Sequence, residues 1–221
     1  MKKSIFALLL AGALILTACT AKNNTGGDDV PSNSDAVGVG DETSVPTVEI
    51  PEEYIVYNNA ENGFSVAVPK AWEVTESADK AVITWIDREN STEETLANTS
   101  ISVTYSPAVT QENLRDKAFT ESWLDMAVVS YAEVFDNLKT EDFTDIALGN
   151  NHFMIYTCSY TMKNESDGEE VALSSTIAMT VIEGNWVAFT FIYPAESVES
   201  RRQKENVKQL QHTILSTLIS V

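Results

Sequence analysis

The chain has 221 residues, with 33 acidic against 14 basic side chains and a formal net charge of -19, a balance that argues against nucleic acid as a partner. Its two cysteines, Cys19 and Cys158, cannot make a disulfide-rich scaffold. Its two histidines, His152 and His212, lie far apart with no Cys or His at ligand spacing, so no metal centre of the zinc type is expected.

Residues 1–18 read as a bacterial lipoprotein signal peptide. Met1-Lys2-Lys3 engages the anionic inner leaflet, the apolar run Ile5 to Leu16 is long enough for export but short for a permanent span, and Leu16-Thr17-Ala18-Cys19 closes it. Cleavage is expected between Ala18 and Cys19. The Cys19 sulfur would then carry diacylglycerol in a thioether, with palmitate-type chains whose buried methylenes each add about 0.8 kcal/mol to anchoring. That covalent lipid is the sole cofactor-like group expected. It places the protein on the extracytoplasmic face of a cell membrane, and loss of residues 1–18 takes the charge to -21.

Residues 19–53 read as a flexible acidic linker. From Thr20 to Glu53 there are eight acids, one lysine and no aromatic residue, with Gly26-Gly27, Pro31, Pro46 and Pro51 scattered among polar residues. Such a stretch cannot bury a core, and its root-mean-square reach is roughly 30 Å.

Residues 54–221 have the length of one domain. Short strands are predicted at Tyr54–Tyr57, Phe64–Val68, Trp72–Glu76, Ala81–Asp87 and Thr99–Ser106. Larger apolar groups alternate in Phe64–Val68, as in a half-buried strand, whereas Ala81–Ile86 is apolar almost throughout and predicts cover on both faces. A helical segment follows from Gln111 to Leu138, capped by Thr110, as one helix or two. Strands return at Phe143–Leu148, His152–Met162, Val171–Ile182 and Trp186–Tyr193, with Gly149-Asn150 and Gly184-Asn185 as turns. Val198, Val207, Leu210, Ile214 and Leu218 mark the stripe of a closing helix, with Arg201, Arg202, Lys204 and Lys208 mostly on its outer side. Cys158 shares strand parity with Met154, Tyr156, Tyr160 and Met162, so it is read as a small buried hydrophobe. Strands, helix, strands, helix predicts an α+β layered domain.

The stretch Tyr57-Asn58 through Glu61-Asn62-Gly63-Phe64-Ser65-Val66-Ala67-Val68-Pro69-Lys70-Ala71-Trp72 resembles the opening of PsbP-like (PsbP/DcrB-type) domains. Gly63 permits a tight turn, Phe64 starts the inward face, Pro69 ends the ladder and Trp72 folds back on the sheet edge. The element order of residues 54–221 extends the resemblance. It implies an α/β/α sandwich around a central antiparallel sheet, a fold whose members share no common chemistry.

No Gly-x-Ser-x-Gly elbow, Ser-x-x-Lys nucleophile motif, phosphate-binding loop or dinucleotide turn is read in the sequence, so a serine hydrolase and nucleotide binding have no positive support. The acid pairs Glu93-Glu94, Glu141-Asp142 and Glu169-Glu170 read as solvated loops, since adjacency alone does not set two carboxylates across a cleft. The acidic stretch Asn164 to Glu170 fails the EF-hand pattern, because Gly168 as the loop glycine puts Lys163 at the first ligand and Ser174 at the last. Weak calcium binding there is the alternative. Among Trp72, Trp85, Trp123 and Trp186, core positions are expected, with Trp72 and Trp123 as candidate walls of a ligand groove between the sheet and the long helix. The reading is therefore a non-enzymatic, membrane-anchored extracytoplasmic lipoprotein, an interaction or accessory module of the cell envelope with a protein partner. The alternatives are a small-ligand or cation-binding lipoprotein, and a hydrolase with an unrecognised site.

Overall fold

The computed structural model describes residues 49–92, 97–105, 109–116, 118–119, 122, 136–140, 144–163 and 168–221. The signal peptide with Ala18 and Cys19, almost all of the linker, and Trp123 lie outside the described residues.

The chain enters through β1 (Tyr54–Asn59), which pairs antiparallel with β2 (Phe64–Pro69). The turn between them is a 3-10 turn ending on Gly63, whose φ of 72° is the left-handed conformation that glycine adopts without strain. Then come β3 (Glu73–Glu76), β4 (Val82–Asp87) and β5 (Ala97–Tyr105), and a short helix α1 (Gln111–Arg115). After α1 the described chain runs through β6 (Asp136–Thr140), β7 (Thr144–Leu148), β8 (Asn151–Lys163), β9 (Glu170–Ile182) and β10 (Asn185–Pro194). Helix α2 (Arg201–Ser216) and the two-residue β11 (Ile219–Ser220) close the chain.

Strands β3 to β10 form one antiparallel sheet in the order β3-β4-β5-β10-β9-β8-β6, with β7 also pairing β8. Strands β1, β2 and β11 form a second, small sheet in the order β1-β2-β11. Central β10 shows why the large sheet is covered twice. Val187, Phe189, Phe191 and Tyr193 enter one core, with Ile83, Trp85, Phe153, β2 and helix α2. Trp186, Ala188 and Ile192 enter the other, with Leu114 of α1, Tyr156, Cys158 and Ile177. Helix, antiparallel sheet and helix are therefore stacked as the element order predicts. The run Trp186–Tyr193 meets both layers, whereas in β4 only Ile83 and Trp85 join a core, the first, and Val82 and Ile86 on the other face are half-buried, so the two-sided cover predicted for Ala81–Ile86 is partial.

Two expectations change. The segment predicted as one helix or two breaks at Asp116, where ψ is 121°, and is helical again at residues 118–119 and 122, while Leu138, its predicted end, belongs to edge strand β6. Asn137 takes a φ of 55° at a bulge in the β6–β8 ladder. Its amide donates to Thr161 Oγ1 at 3.0 Å, and that hydroxyl donates to the Asp136 carbonyl at 3.1 Å. These bonds replace helical ones, and Leu138 turns onto the second core. At the C-terminus the helix stops at Ser216, and the chain adds β11 to the small sheet, a strand too short to show periodicity.

Candidate functional site

Helix α2 is started by a reciprocal cap. Ser200 Oγ accepts the Gln203 N–H at 3.2 Å, and Gln203 Oε1 accepts the Ser200 N–H at 3.0 Å. From there Val207, Gln211, Ile214 and Leu215 turn inward and are buried. The far half of the helix sits on large side chains, whereas the near half crosses a part of the sheet whose side chains are small and polar. In the ladder β8–β9–β10, Ile155, Ala178 and Phe189 lie side by side, and the next row is Thr157, Thr176 and Phe191. Ser174 stands beside Tyr193 one row further. Where hydroxyls replace bulky side chains the helix no longer fills the gap, and a cleft of about 350 Å³ opens.

The floor of the cleft is Thr157, Ser174, Thr176 and the ring of Tyr193; Ile146, Ile155, Val198 and Val207 give it an apolar side. Its helical wall carries Lys204, Lys208, Gln211 and His212. Positions 204, 208 and 212 are spaced by four, which lines three nitrogen-bearing side chains along one face. Among the described residues, no aspartate or glutamate lines this cleft, in a chain with 33 of them. Burial, then the positive charge of Lys208, lowers the pKa of His212 below its ordinary value. Burial and the nearby Asp87 keep the Tyr193 phenol in its neutral form, so the cleft meets an uncharged ring.

The chemistry singled out in the sequence is placed elsewhere. Trp72 is half-buried beside the first core, its N–H donating to the Pro69 carbonyl at 3.1 Å, and it does not line the cleft. Trp85 and Trp186 are buried in opposite cores. Cys158 is buried as predicted; burial pushes its thiol up to about 12, against hydrogen bonds from Tyr156 and Ser175 that act the other way. His152 is exposed, with Nδ1 3.4 Å from Asp145 Oδ1. Glu169 and Glu170 are exposed, while the rest of the acidic stretch from 164 to 167 and the pairs at 93–94 and 141–142 lie outside the described residues. Among the described residues, no three His, Cys, Asp or Glu side chains converge to hold a metal ion, and no helix is long and apolar enough to cross a membrane.

Contrary to the expectation that no Ser-x-x-Lys motif is present, the tetrad Ser77-Ala78-Asp79-Lys80 has that spacing. It forms an exposed turn in which Ser77 Oγ donates to Asp79 Oδ1 at 2.6 Å and Lys80, at φ 51°, points to Glu61 at 3.4 Å. The lysine is thus turned to another partner. The buried carboxylate Asp87 is likewise occupied, accepting the backbone N–H groups of Glu89 and Asn90 and the Asn90 amide at 2.8 Å. Of the helical cleft residues, Lys204 and Lys208 are expected on the outer side of the closing helix, and Gln211 is not singled out by the sequence at all. A signal for them exists in the strands: the apolar series Phe153, Ile155 passes into Thr157, Ser159, and Ala178 into Thr176, Ser174.

Against solved structures, the chain is similar to cyanobacterial PsbP (CyanoP) from Synechocystis sp. PCC 6803, at 14% identity, a TM-score of 0.53, and 83% of this chain on 99% of that one. The fold is PsbP-like. Weaker likenesses are to the Ran-binding protein Mog1p of Saccharomyces cerevisiae, at 11% identity, 76% and 95% coverage and a TM-score of 0.49, and to LpqN of Mycobacterium tuberculosis, involved in cell envelope biogenesis, at 10% identity, 75% and 88% coverage and 0.44. No protein-family model and no curated protein matches the sequence. At these identities the PsbP-like likeness speaks for the architecture alone.

Proposed function

We propose that the protein is a lipid-anchored, extracytoplasmic accessory module that works by binding rather than by catalysis. The Met1 to Cys19 pattern supports the anchor, and the acidic linker supports a domain held roughly 30 Å clear of the membrane. The observation that carries the binding reading is the cleft beneath α2. It is concave, partly apolar and furnished with a few polar groups, the usual make-up of a small-molecule site. A hydrolase would need His212 oriented by a carboxylate and set against a hydroxyl. Among the described residues His212 has no such hydrogen bond, and its electrostatic neighbour is Lys208, which disfavours the protonated form a general base must reach. The volume of about 350 Å³ suits a small ligand better than a protein edge, so an envelope protein partner would meet the outer surface of the domain.

Native mass spectrometry of the protein purified in mild detergent from its own cells tests this reading. The expected result is a lipid-modified N-terminal Cys19 together with a bound small molecule that is released on partial unfolding. A protein that is unlipidated and carries no bound mass under any growth condition would overturn it.

A further inference from the structure

We propose that the cleft beneath α2 takes a small organic anion, with its carboxylate or phosphate group at Lys204, Lys208 and the Gln211 amide and its apolar body along Val207 and Ile155. This rests on the binding reading above and adds the chemical class of the ligand.

Charge decides the sign of the ligand. The described ion pairs of this acidic chain use Lys80, Arg88 and Arg115, and His152 where protonated, while Lys204 and Lys208 are paired with no carboxylate among the described residues. Both lysines overlook a cavity that contains no acid of its own. In a chain of net charge -19, the two lysines make this cleft locally basic; Glu205 lies on the adjoining groove that Lys208 and His212 also line, outside the cleft itself. A cation would meet the two ammonium groups with no counter-charge.

Gln211 supplies the second, independent observation. Its side chain lines the cleft, the residue is 7% exposed, and its amide makes no hydrogen bond among the described residues. The amide faces the cleft unpaired, and an oxyanion beside it would accept from its NH₂ group. The hydroxyls of half-buried Thr157 and Thr176 line the floor and can donate from there. The donors gather on the helical wall and the sheet floor, and the aliphatic groups form the remaining side. A ligand with one charged end and one apolar end satisfies both. The volume of about 350 Å³ limits it to a small molecule.

The test is calorimetric titration of the mature, lipidated protein in non-ionic detergent with benzoate, phenyl phosphate, inorganic phosphate, benzyl alcohol and benzylamine. Benzoate or phenyl phosphate is expected to bind, and whichever binds more tightly identifies the head group. Lys204→Ala with Lys208→Ala should weaken that binding about tenfold or more. Arg201→Ala with Arg202→Ala makes the same charge change at exposed positions of the helix outside the cleft, and should leave affinity within about twofold. Circular dichroism shows that each variant is folded. Benzylamine or benzyl alcohol binding as tightly as the anions, or the arginine pair mattering as much as the lysine pair, would overturn the anion assignment while leaving the binding reading intact. Inorganic phosphate matching phenyl phosphate would overturn the apolar half of the assignment. No binding by any of the five, with no bound mass in the native protein, would remove both.

Discussion

Thr217 joins the end of α2 to the small sheet through one buried hydroxyl, which makes Thr217→Val an informative substitution. Strand β2 is paired along its length by β1, but β11 reaches it only at Phe64 and Ser65. The Ala67 N–H points to the side where β11 has run out, and Thr217 Oγ1 accepts it there at 2.8 Å. The same hydroxyl donates to the Ile214 carbonyl at 2.7 Å. Valine keeps the shape and removes both bonds. Ala67 is 1% exposed, so no water replaces the lost acceptor, and the orphaned N–H should cost about 1–3 kcal/mol. For a domain of this size, about 2 kcal/mol lowers the melting temperature by about 4–8 °C. Thr217→Ser keeps the hydroxyl and loses a methyl group, and should cost about 0.8 kcal/mol. Urea unfolding followed by circular dichroism measures both. A valine variant within about 0.5 kcal/mol of the parent, or a serine variant as unstable as the valine one, would refute the reasoning.

Four further outcomes follow from the same structure. Gly149, at φ 58°, lies where an added methyl would overlap the Ser216 carbonyl oxygen and sit 3.0 Å from its carbonyl carbon, so Gly149→Ala should cost well over about 1–2 kcal/mol. Gly184→Ala, at φ 78° with nothing within 4 Å, should cost only the backbone strain of about 1 kcal/mol in the same urea assay. The Cys158 thiol, pushed up to about 12 by burial, should react with a disulfide reagent far more slowly in the folded protein than in urea; equal rates would contradict its burial. Because the folded pKa of His212 lies below its unfolded value of about 6.5, the unfolded chain takes up the proton first as pH falls below that value. Its contribution to stability is therefore lost downward from about pH 6.5 to the folded pKa, and His212→Gln should flatten unfolding curves compared over that window.

The strands were legible because each carries its own cause. Phe64, Val66 and Val68 are buried as their alternation predicts, although Ser65 and Ala67 between them are buried too, so β2 is not the half-buried strand expected; the largely apolar run in β10 requires two layers of cover. The end of the central helical segment was not legible, because Leu138 continues a helical spacing from Phe135. The bulge that makes it a strand depends on Asn137 meeting Thr161, 24 residues away. The site was hidden for a similar reason. Lys204 and Lys208 lie on the polar face of an amphipathic helix, and nothing in their own segment separates a solvated lysine from one that overlooks a cleft. That difference is made by Thr157, Ser174 and Thr176, small residues on other strands that leave the space open.

The account is tested most directly by amide chemical shifts during titration with the tighter-binding of benzoate and phenyl phosphate. The prediction is that saturable shifts gather on Thr157, Ser174, Thr176 and helix residues from Lys204 to His212, around the cleft. Shifts centred on Trp72 or on the opposite core around Trp186, with the helix unmoved, would contradict it.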